Sequence, residues 1–345
     1  MYSSMSKMHN LKIVIVSLVF SFITVSCSFH SPFEYLLRGE TMGTSYSVKL
    51  VFDQSKRPEE LAGLKESIDH ALTQVDLLMS TYRNDSEVSQ INRLEVNQAL
   101  HVSPQTSEVL SEALRVSKLT NGFFDITVGP LVDLWGFGPK FRMDFAPKSS
   151  QVVSAKKRVN WRAISLAGQN LTKSQKVEID LSAIAKGYAV DRVALTLEVA
   201  GVKNYLVEVG GEISVLGQNK FHKDWVLGIE QPNIVGRKAY TTINLSGNSL
   251  ATSGDYRNYY EKNGRRYSHT IDPQTGYPVE HKLASVSVIS PTCMEADALA
   301  TALMAMGERE GYEFALKQGI NAYFIYREQD AYEFIYTPGF KPFLN

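Results

Sequence analysis

The sequence predicts an α+β fold. Alternation of apolar residues, typical of strands, and apolar spacing typical of helices both occur along the chain. The predicted strands and helices do not follow the regular strand–helix–strand order of a doubly wound parallel sheet. The chain has 345 residues, of which 44% are hydrophobic, and this is enough to bury a core in one large domain or two modest ones.

The individual elements follow from the spacing of the apolar residues. Predicted strands lie at residues 41–52, 204–215, 225–230 and 283–289, and predicted helices at residues 59–79, 107–119 and 295–306. In the first strand, Tyr46, Val48 and Leu50 share one side. The second strand is interrupted by Gly210-Gly211. The polar segment 140–157 is expected to be a surface excursion.

Turn signals organise the segment 253–307. Asn263-Gly264 lies between polar and aromatic residues and predicts a hairpin, because a type I′ turn needs positive φ at both central positions. The run from Asp272 to Gly276 predicts a second turn, in which a proline presets φ and the final glycine can adopt positive φ. The helix that ends this segment is expected to stop at Gly307.

The charge balance and the motifs exclude several classes of protein. Lys and Arg together number 36, and so do Asp and Glu, so no global field attracts nucleic acid. The sequence also lacks a basic-aromatic module of the kind that binds DNA or RNA. It contains no Ser-His-Asp order, no HExxH motif and no Walker loop, so a familiar hydrolase or ATPase is not expected.

The N-terminus has the pattern of a bacterial lipoprotein signal. Lys7 and Lys12 precede an apolar run from Ile13 to Val25, which has signal-peptide length and is too short to span a bilayer comfortably. Small residues then precede Cys27. The alternative is a plain secretory signal with an incidental cysteine. The expected organisation is a signal peptide at 1–26, a tether at 27–38 lipidated on Cys27, and one domain at 39–345.

A capped helix with a nearby lysine is predicted after Asp180. Asp180 stands where an N-cap would, and Lys186 follows two turns into the helix. A helix N-terminus beside a lysine is a natural anion site, although an ordinary capped helix with a solvated lysine is the alternative. The residues expected to share the buried face of this helix are Leu181, Ile184, Tyr188, Leu195 and Val199.

Two further features carry potential chemistry. Asp297 and Thr301 lie four residues apart on a predicted helix and therefore on one face. Their hard oxygen atoms suit Mg²⁺, although a cap acid and a threonine bonded to the preceding turn would look the same. His269 is a lone histidine beside arginines and the predicted hairpin, and a lone histidine is more often structural than catalytic.

Motifs along nearly the whole chain after the signal resemble the ApbE family, the FAD:protein FMN transferases. The matching segments are Thr41 to Tyr46, Met79 to Tyr82, Ser86-Glu87, Ile91-Asn92, Gly122 to Thr127, Asp180 to Asp191, Val209 to Glu212, Ser253 to Arg257, Tyr267 to Gly276, and Ala296 to Ala298 with Thr301. The resemblance implies a single domain of mixed sheets and helices behind a cleaved lipoprotein signal.

The resemblance also implies an activity. Such proteins cleave FAD, attach its FMN half through the phosphate to a Thr or Ser hydroxyl of an acceptor flavoprotein, and release AMP. The acceptors it implies are subunits of Na⁺-translocating NADH:quinone reductase or of the related Rnf complex. The protein is then expected on the periplasmic side of the inner membrane, held by its lipid anchor.

The resemblance assigns a role to each matching position. The flavin site would comprise Met42, Tyr82, Phe123, Phe124, Asp125, Asp180, Lys186, Thr270 and Ile271. The Mg²⁺ site would comprise the Ala183 carbonyl with Asp297 and Thr301. Tyr82 and the Phe123-Phe124 pair can pack against flat rings. His269 would be the residue nearest the proton transfer. It could accept the proton of the acceptor hydroxyl, since the ordinary pKa of histidine lies near ambient pH.

Two other functions stay open at the level of sequence. A Mg²⁺-dependent FAD pyrophosphatase, which gives FMN and AMP, would use the same site with water in place of the acceptor hydroxyl. A non-enzymatic flavin-binding lipoprotein would not need Mg²⁺, so the Asp297 and Thr301 pair argues mildly against it.

Overall fold

The computed structural model describes residues 31–138, 146–232, 238–256, 258–262, 265–329 and 331–345. The folded unit runs from Pro32 to Asn345. The predicted signal peptide, Cys27 and the Asn263-Gly264 turn lie outside the described residues. Within the described ranges, no helix is long and apolar enough to cross a bilayer.

Helices and strands mix along the described chain. The helices are α1 (Pro58–Met79), α2 (Glu87–Arg93), α3 (Pro104–Leu119), α4 (Gly129–Leu134), α5 (Ser149–Lys156), α6 (Ala185–Val199) and α7 (Cys293–Gln318), with 3₁₀ turns at Trp161–Ala163 and Pro338–Phe343. The strands are β1 (Phe33–Thr41), β2 (Thr44–Phe52), β3 (Ala99–His101), β4 (Ile164–Ala167), β5 (Asn170–Lys173), β6 (Tyr205–Val209), β7 (Glu212–Leu216), β8 (Trp225–Glu230), β9 (Ala239–Leu245), β10 (Asn248–Gly254), β11 (Tyr259–Lys262), β12 (Arg265–Ser268), β13 (Leu283–Ser290), β14 (Asn321–Glu328) and β15 (Ala331–Tyr336).

An eight-stranded sheet organises the fold, with the strand order β1-β2-β6-β7-β10-β13-β14-β15. Its neighbouring strands pair antiparallel. Successive residues of a strand point to opposite faces, so Leu50 enters the core beneath α1, α6 and α7, whereas Val51 enters the core beneath β8 and β9. Strand β13 is buried along its whole length because both faces of the sheet are covered.

The predicted strand at 41–52 is in fact the end of one hairpin arm and the whole of the other. β1 ends at Thr41 and β2 begins at Thr44, and these two residues pair. The connecting Met42 and Gly43 have φ of 49° and 71°, as a type I′ turn requires. Residues 33–38, expected to belong to the tether, lie in β1, so the folded part begins earlier than predicted.

Several sequence predictions are confirmed. Tyr46, Val48 and Leu50 are buried on one side of β2. The hairpin around residues 263–264 is present, since Lys262 pairs with Arg265. In the second predicted turn, the Gly276 amide donates to the Asp272 carbonyl at 2.8 Å.

Two boundaries differ from the prediction. Part of the expected surface excursion is helix α5, whose Val152 and Ala155 are buried beside Leu131 and Trp135. Because the segment is mostly polar, its sequence did not indicate that these two residues face inward. Gly307 does not end the last helix: with φ of 84° and ψ of 178° it breaks α7, and the helix resumes and runs on to Gln318.

The helix after Asp180 also starts later than predicted. Asp180 caps a separate turn, because its Oδ1 accepts a hydrogen bond from the Ser182 amide at 2.9 Å. Ile184 then leaves helical geometry with φ of −148°, and α6 begins at the next residue. The predicted face is also not buried along its length: Leu195 and Val199 are 43% and 81% exposed, and the buried residues near this end of α6 are Val193, Ala194 and Leu197.

Helices α6 and α7 meet at a glycine. Asp191 of α6 accepts hydrogen bonds from the Cys293 and Met294 amides at the start of α7, both at 2.8 Å. A Cβ atom on Gly187 would lie 2.4 Å from the Cys293 carbonyl oxygen and 2.8 Å from the Asp297 Cβ. The two backbones can therefore approach this closely because position 187 has no side chain.

Gly187→Ala is expected to lower the free energy of unfolding by about 1–3 kcal/mol, because the nearest obstacle is backbone that must move. Urea denaturation measures the change. Gly63→Ala is the matched control, since Gly63 lies inside α1 with nothing near its missing Cβ, and there alanine should stabilise the helix. Equal stability of the two variants would contradict the close packing.

Candidate active site

A cavity of about 1110 Å³ brings the predicted site residues together. Its walls come from the β1–β2 turn, the end of α1, the start of α6, α7 and the segment that follows β12. The predicted residues that line it are Met42, Tyr82, Phe123, Phe124, Asp125, Asp180, Ala183, Lys186, His269, Thr270, Ile271, Asp297 and Thr301. Their placement agrees with one site, and their individual roles stay predictions.

The aromatic residues of the cavity differ in how much of their ring surface is accessible to a ligand. Tyr82 is 71% exposed at the wall, and Phe123 is half-buried. Phe124 is 2% exposed and packs in the main core, so its ring has little surface left for stacking. Phe123 and Tyr82 therefore remain the residues that we expect to stack on a flat ligand, and Phe124 does not.

Asp125 braces the loop on which it lies. Its Oδ1 accepts from the Thr127 amide at 2.8 Å and the Thr127 hydroxyl at 2.6 Å, and its Oδ2 accepts from the Trp161 amide at 3.2 Å. Burial raises the pKa of Asp125, although these hydrogen bonds oppose the rise. The side chain shapes this wall of the cavity whatever contact it makes with a ligand.

The loop before Asp180 is fixed by two polar side chains, the half-buried Asn92 and the buried Lys173. Asn92 donates to the Ile179 carbonyl at 2.8 Å and accepts from the Ile179 amide at 2.6 Å. Lys173 is 1% exposed, and its Nζ donates to the carbonyls of Ile91, Asn92 and Val177 at 2.8, 3.2 and 3.4 Å. These contacts hold Asp180 at the cavity wall, although residues 174–184 belong to no helix or strand.

Lys186 is already paired with two carboxylates. Its Nζ lies 2.6 Å from Glu212 Oε1 and 3.8 Å from Asp297 Oδ1. Although burial alone would lower it, these two carboxylates hold the pKa of Lys186 above its usual value. Burial raises the pKa of Glu212 to about 7, against the opposing effect of Lys186. Lys186 is therefore not the freely solvated lysine of an ordinary capped helix, because two carboxylates in the cavity wall pair with it.

The residues predicted to hold Mg²⁺ offer hard oxygen atoms on one side of the cavity. Asp297 Oδ2 accepts from the Gly187 amide at 3.0 Å, which leaves Oδ1 facing Lys186. The Thr301 hydroxyl lies 3.3 Å from the Ser253 hydroxyl, and Ala183 lines the same cavity. A carboxylate, a hydroxyl and a carbonyl fit Mg²⁺, which takes few protein ligands and keeps positions for phosphate and water. Among the described residues, no cluster of three His, Cys, Asp or Glu side chains forms another metal site.

His269 has a fixed orientation. Its Nδ1 lies 2.9 Å from the Asn258 carbonyl oxygen, which can only accept, so Nδ1 carries the proton and Nε2 keeps its lone pair. The edge of its ring meets Phe137, with ring centroids 6.3 Å apart. Burial lowers the pKa of His269, although the Asn258 carbonyl opposes this effect. The lowered pKa favours the neutral imidazole over the imidazolium.

Asp255 is held by two arginines. Arg327 binds both of its carboxylate oxygens, at 2.6 and 3.0 Å. The Arg266 guanidinium donates to its carbonyl at 2.6 Å and stacks on Tyr259 at 3.8 Å. This network supports the hairpin that leads to His269.

Sequence reasoning assigned no role to several residues that shape the site. Glu212 pairs with Lys186, Asn258 orients His269, and Ser253 contacts Thr301. Glu212 and Ser253 lie in the family-like motifs, which was the one available signal. Their partners are distant in sequence, so no local pattern could reveal the contacts.

Several known proteins are similar to this chain over most of its length. The model of the ApbE family matches residues 42–324. The FAD:protein FMN transferase of Vibrio cholerae serotype O1 is 42% identical over 310 residues, which cover 90% of this chain and 92% of that protein. The FAD:protein FMN transferase of Haemophilus influenzae is 42% identical over 303 residues, which cover 86% and 87%.

Solved structures show the same fold. The flavin transferase ApbE from Vibrio cholerae matches with a TM-score of 0.84 and 39% identity, and the match covers 91% of this chain and 100% of that one. The apo form of the Pseudomonas stutzeri flavinyl transferase ApbE matches with a TM-score of 0.83 and 36% identity, over 92% and 98% of the two chains. The predicted α+β class is confirmed, and the chain belongs to the ApbE family.

Proposed function

We propose that this protein transfers the FMN half of FAD to a hydroxyl group of an acceptor protein and releases AMP. The similar proteins of Vibrio cholerae and Haemophilus influenzae carry the name FAD:protein FMN transferase. The observation that carries the proposal is the cavity of about 1110 Å³ in which His269, Lys186 and Asp297 lie together. Its volume exceeds the ~300–1,000 Å³ usual for a drug-sized ligand, which suits a dinucleotide.

The reaction exchanges one phosphorus–oxygen bond for another. The acceptor hydroxyl oxygen bonds to the phosphorus of the FMN half, and the bond from that phosphorus to the bridging pyrophosphate oxygen breaks. The bridging oxygen leaves with AMP, and the hydroxyl proton passes to a base. Phosphoryl transfer needs positioning and charge neutralisation more than a covalent intermediate, so an enzyme nucleophile is not required.

His269 is the base that the geometry favours. Its Nδ1 proton is engaged by Asn258, so Nε2 is the nitrogen that can receive the acceptor proton. The neutral form persists to lower pH than in a free histidine, because burial lowers its pKa. The nearby Asp255 is bound on both oxygens by Arg327 and has no such capacity.

The charges around Lys186 favour a divalent cation. One ammonium faces the two carboxylates of Glu212 and Asp297, so the ionised group is net negative before any pyrophosphate binds. Asp297, Thr301 and the Ala183 carbonyl would hold Mg²⁺. When bound, Mg²⁺ would neutralise pyrophosphate charge and the charge that develops on the leaving AMP.

We further propose a membrane-anchored location and acceptors of the kind that the family resemblance implies. These acceptors are subunits of Na⁺-translocating NADH:quinone reductase or Rnf-type complexes at the periplasmic side of the inner membrane. The support is the basic and apolar sequence before Cys27, followed by a tether.

Cys27→Ser is expected to release the protein as soluble periplasmic material or to leave an uncleaved precursor, because the thiol is the point of lipid attachment. Membrane fractionation followed by mass analysis of the N-terminus measures the effect. Ser28→Ala changes the neighbouring residue and serves as the control. Normal membrane fractionation of the Cys27 variant would count against lipidation.

A product balance tests the proposed function against the pyrophosphatase alternative. The protein is incubated with FAD and Mg²⁺, with and without a folded acceptor protein, and AMP and free FMN are quantified by chromatography. Transfer predicts that AMP formation depends on the acceptor and that little free FMN accompanies it. Equal release of AMP and free FMN without acceptor would favour hydrolysis, and no release at all would favour a binding protein.

A further inference from the structure

Glu212 holds one carboxylate oxygen without a partner inside the cavity wall. It is the first residue of β7, directly after the Gly210-Gly211 turn, and is 3% exposed. Its Oε1 accepts from Lys186 Nζ at 2.6 Å. Its Oε2 is buried and makes no hydrogen bond to the described residues. Glu212, Lys186 and both glycines of the turn line the cavity.

Burying a carboxylate oxygen without a hydrogen-bond donor costs free energy, because the oxygen loses its hydrogen bonds to water and forms none within the protein. The free oxygen therefore calls for a donor that arrives with the ligand. A second metal ion fits poorly, because Glu212 has one free oxygen to offer as a ligand and its other oxygen is already held by the Lys186 ammonium. A neutral hydroxyl group fits the position, because it can donate without adding charge.

We propose that Glu212 is a substrate-binding residue whose Oε2 accepts a hydrogen bond from a sugar hydroxyl of the bound dinucleotide. This inference rests on the proposed function, in which the ligand is FAD. FAD offers such hydroxyls from two sources, the ribityl chain of its flavin half and the ribose of its adenosine half. Through Oε1 the same side chain positions Lys186, so recognition of the sugar and the order of the charged site are joined in one residue.

The test compares FAD with analogues that lack single hydroxyls, bound to the full chain. One set of analogues lacks a ribityl hydroxyl, and the other lacks a ribose hydroxyl of the adenosine. Loss of the relevant hydroxyl should weaken binding to the unmodified protein by roughly 10–100-fold, as expected for a hydrogen bond to a charged group. The set that loses affinity identifies which half of FAD faces Glu212.

The same ligands are then measured with Glu212→Gln and Glu212→Met. Both variants should bind FAD more weakly. Glu212→Met has no oxygen acceptor and should no longer distinguish FAD from the analogue, whereas Glu212→Gln keeps an amide oxygen and should keep a smaller ratio. A purely structural role would lower the affinity for FAD and the analogue by the same factor and keep their ratio. Glu208→Gln is the matched control: Glu208 lies on the same hairpin, accepts from Ser47 and Gly211, and does not line the cavity.

The outcomes separate this inference from the proposed function. If the unmodified protein binds FAD but no single hydroxyl matters, or the full ratio survives in Glu212→Met, the inference is overturned while FMN transfer still stands. If the unmodified protein does not bind FAD in the presence of Mg²⁺, both fail. A ratio that is lost in Glu212→Met and kept in Glu208→Gln supports the inference.

Discussion

His269→Ala is expected to slow FMN transfer by roughly 10²–10⁴-fold, the usual range for a positioned acid–base group. FAD affinity should fall much less, because Tyr82, Lys186 and the metal-binding residues remain in place. Single-turnover rates and FAD titrations separate the two effects. His101→Ala is the matched control, since His101 lies on β3 outside the cavity.

The pH dependence of the rate sharpens this prediction. Transfer requires the neutral imidazole, so the rate should fall as pH drops through the pKa of His269. Burial lowers that pKa, so the acid limb should lie below the ordinary value near 6.5. His269→Ala should lose this limb. Near-normal turnover with weaker FAD binding would show that His269 only positions the substrate, and Asp180 or water would then take the proton.

Asp297→Ala is expected to reduce turnover by at least about 100-fold, because a charged Mg²⁺ ligand contributes several kcal/mol of charge stabilisation in the transition state. The loss should be greatest at limiting Mg²⁺. The measurement is the rate of FMN transfer as a function of Mg²⁺ concentration, alongside urea unfolding to confirm the fold.

Asp297→Asn serves as the conservative partner of this variant. An amide oxygen can still accept from the Gly187 amide, so the α6–α7 contact should survive while the negative charge is lost. Both variants should need more Mg²⁺ than the unmodified protein. An unchanged rate at limiting Mg²⁺ in either variant would rule out Asp297 as a metal ligand.

The sequence correctly predicted the elements that depend on residues close together along the chain. The β11–β12 hairpin follows from Asn263-Gly264, and Trp225–Glu230 is a strand as its alternation predicts. Prediction failed where tertiary packing decides. Val152 and Ala155 turn inward in a polar segment, and Leu195 lies outward on α6 while Val193 and Leu197 are buried.

The sequence predicted which residues form the site better than it predicted which residues pair with one another there. Every site residue that the family-like motifs predicted lines the same cavity. They did not reveal that Lys186 is held by Glu212, 26 residues further along the chain, or that Asn258 sets the tautomer of His269. Such contacts depend on how β7 meets α6 and how the hairpin folds back, which no local pattern specifies.

The intact mass of an acceptor protein tests the central claim most directly. The acceptor is incubated with this protein, FAD and Mg²⁺ and then analysed by mass spectrometry. The account predicts an increase equal to FMN less one water, which disappears when the acceptor's target Ser or Thr is replaced by Ala. An acceptor of unchanged mass, while FAD is consumed to free FMN and AMP, would contradict it.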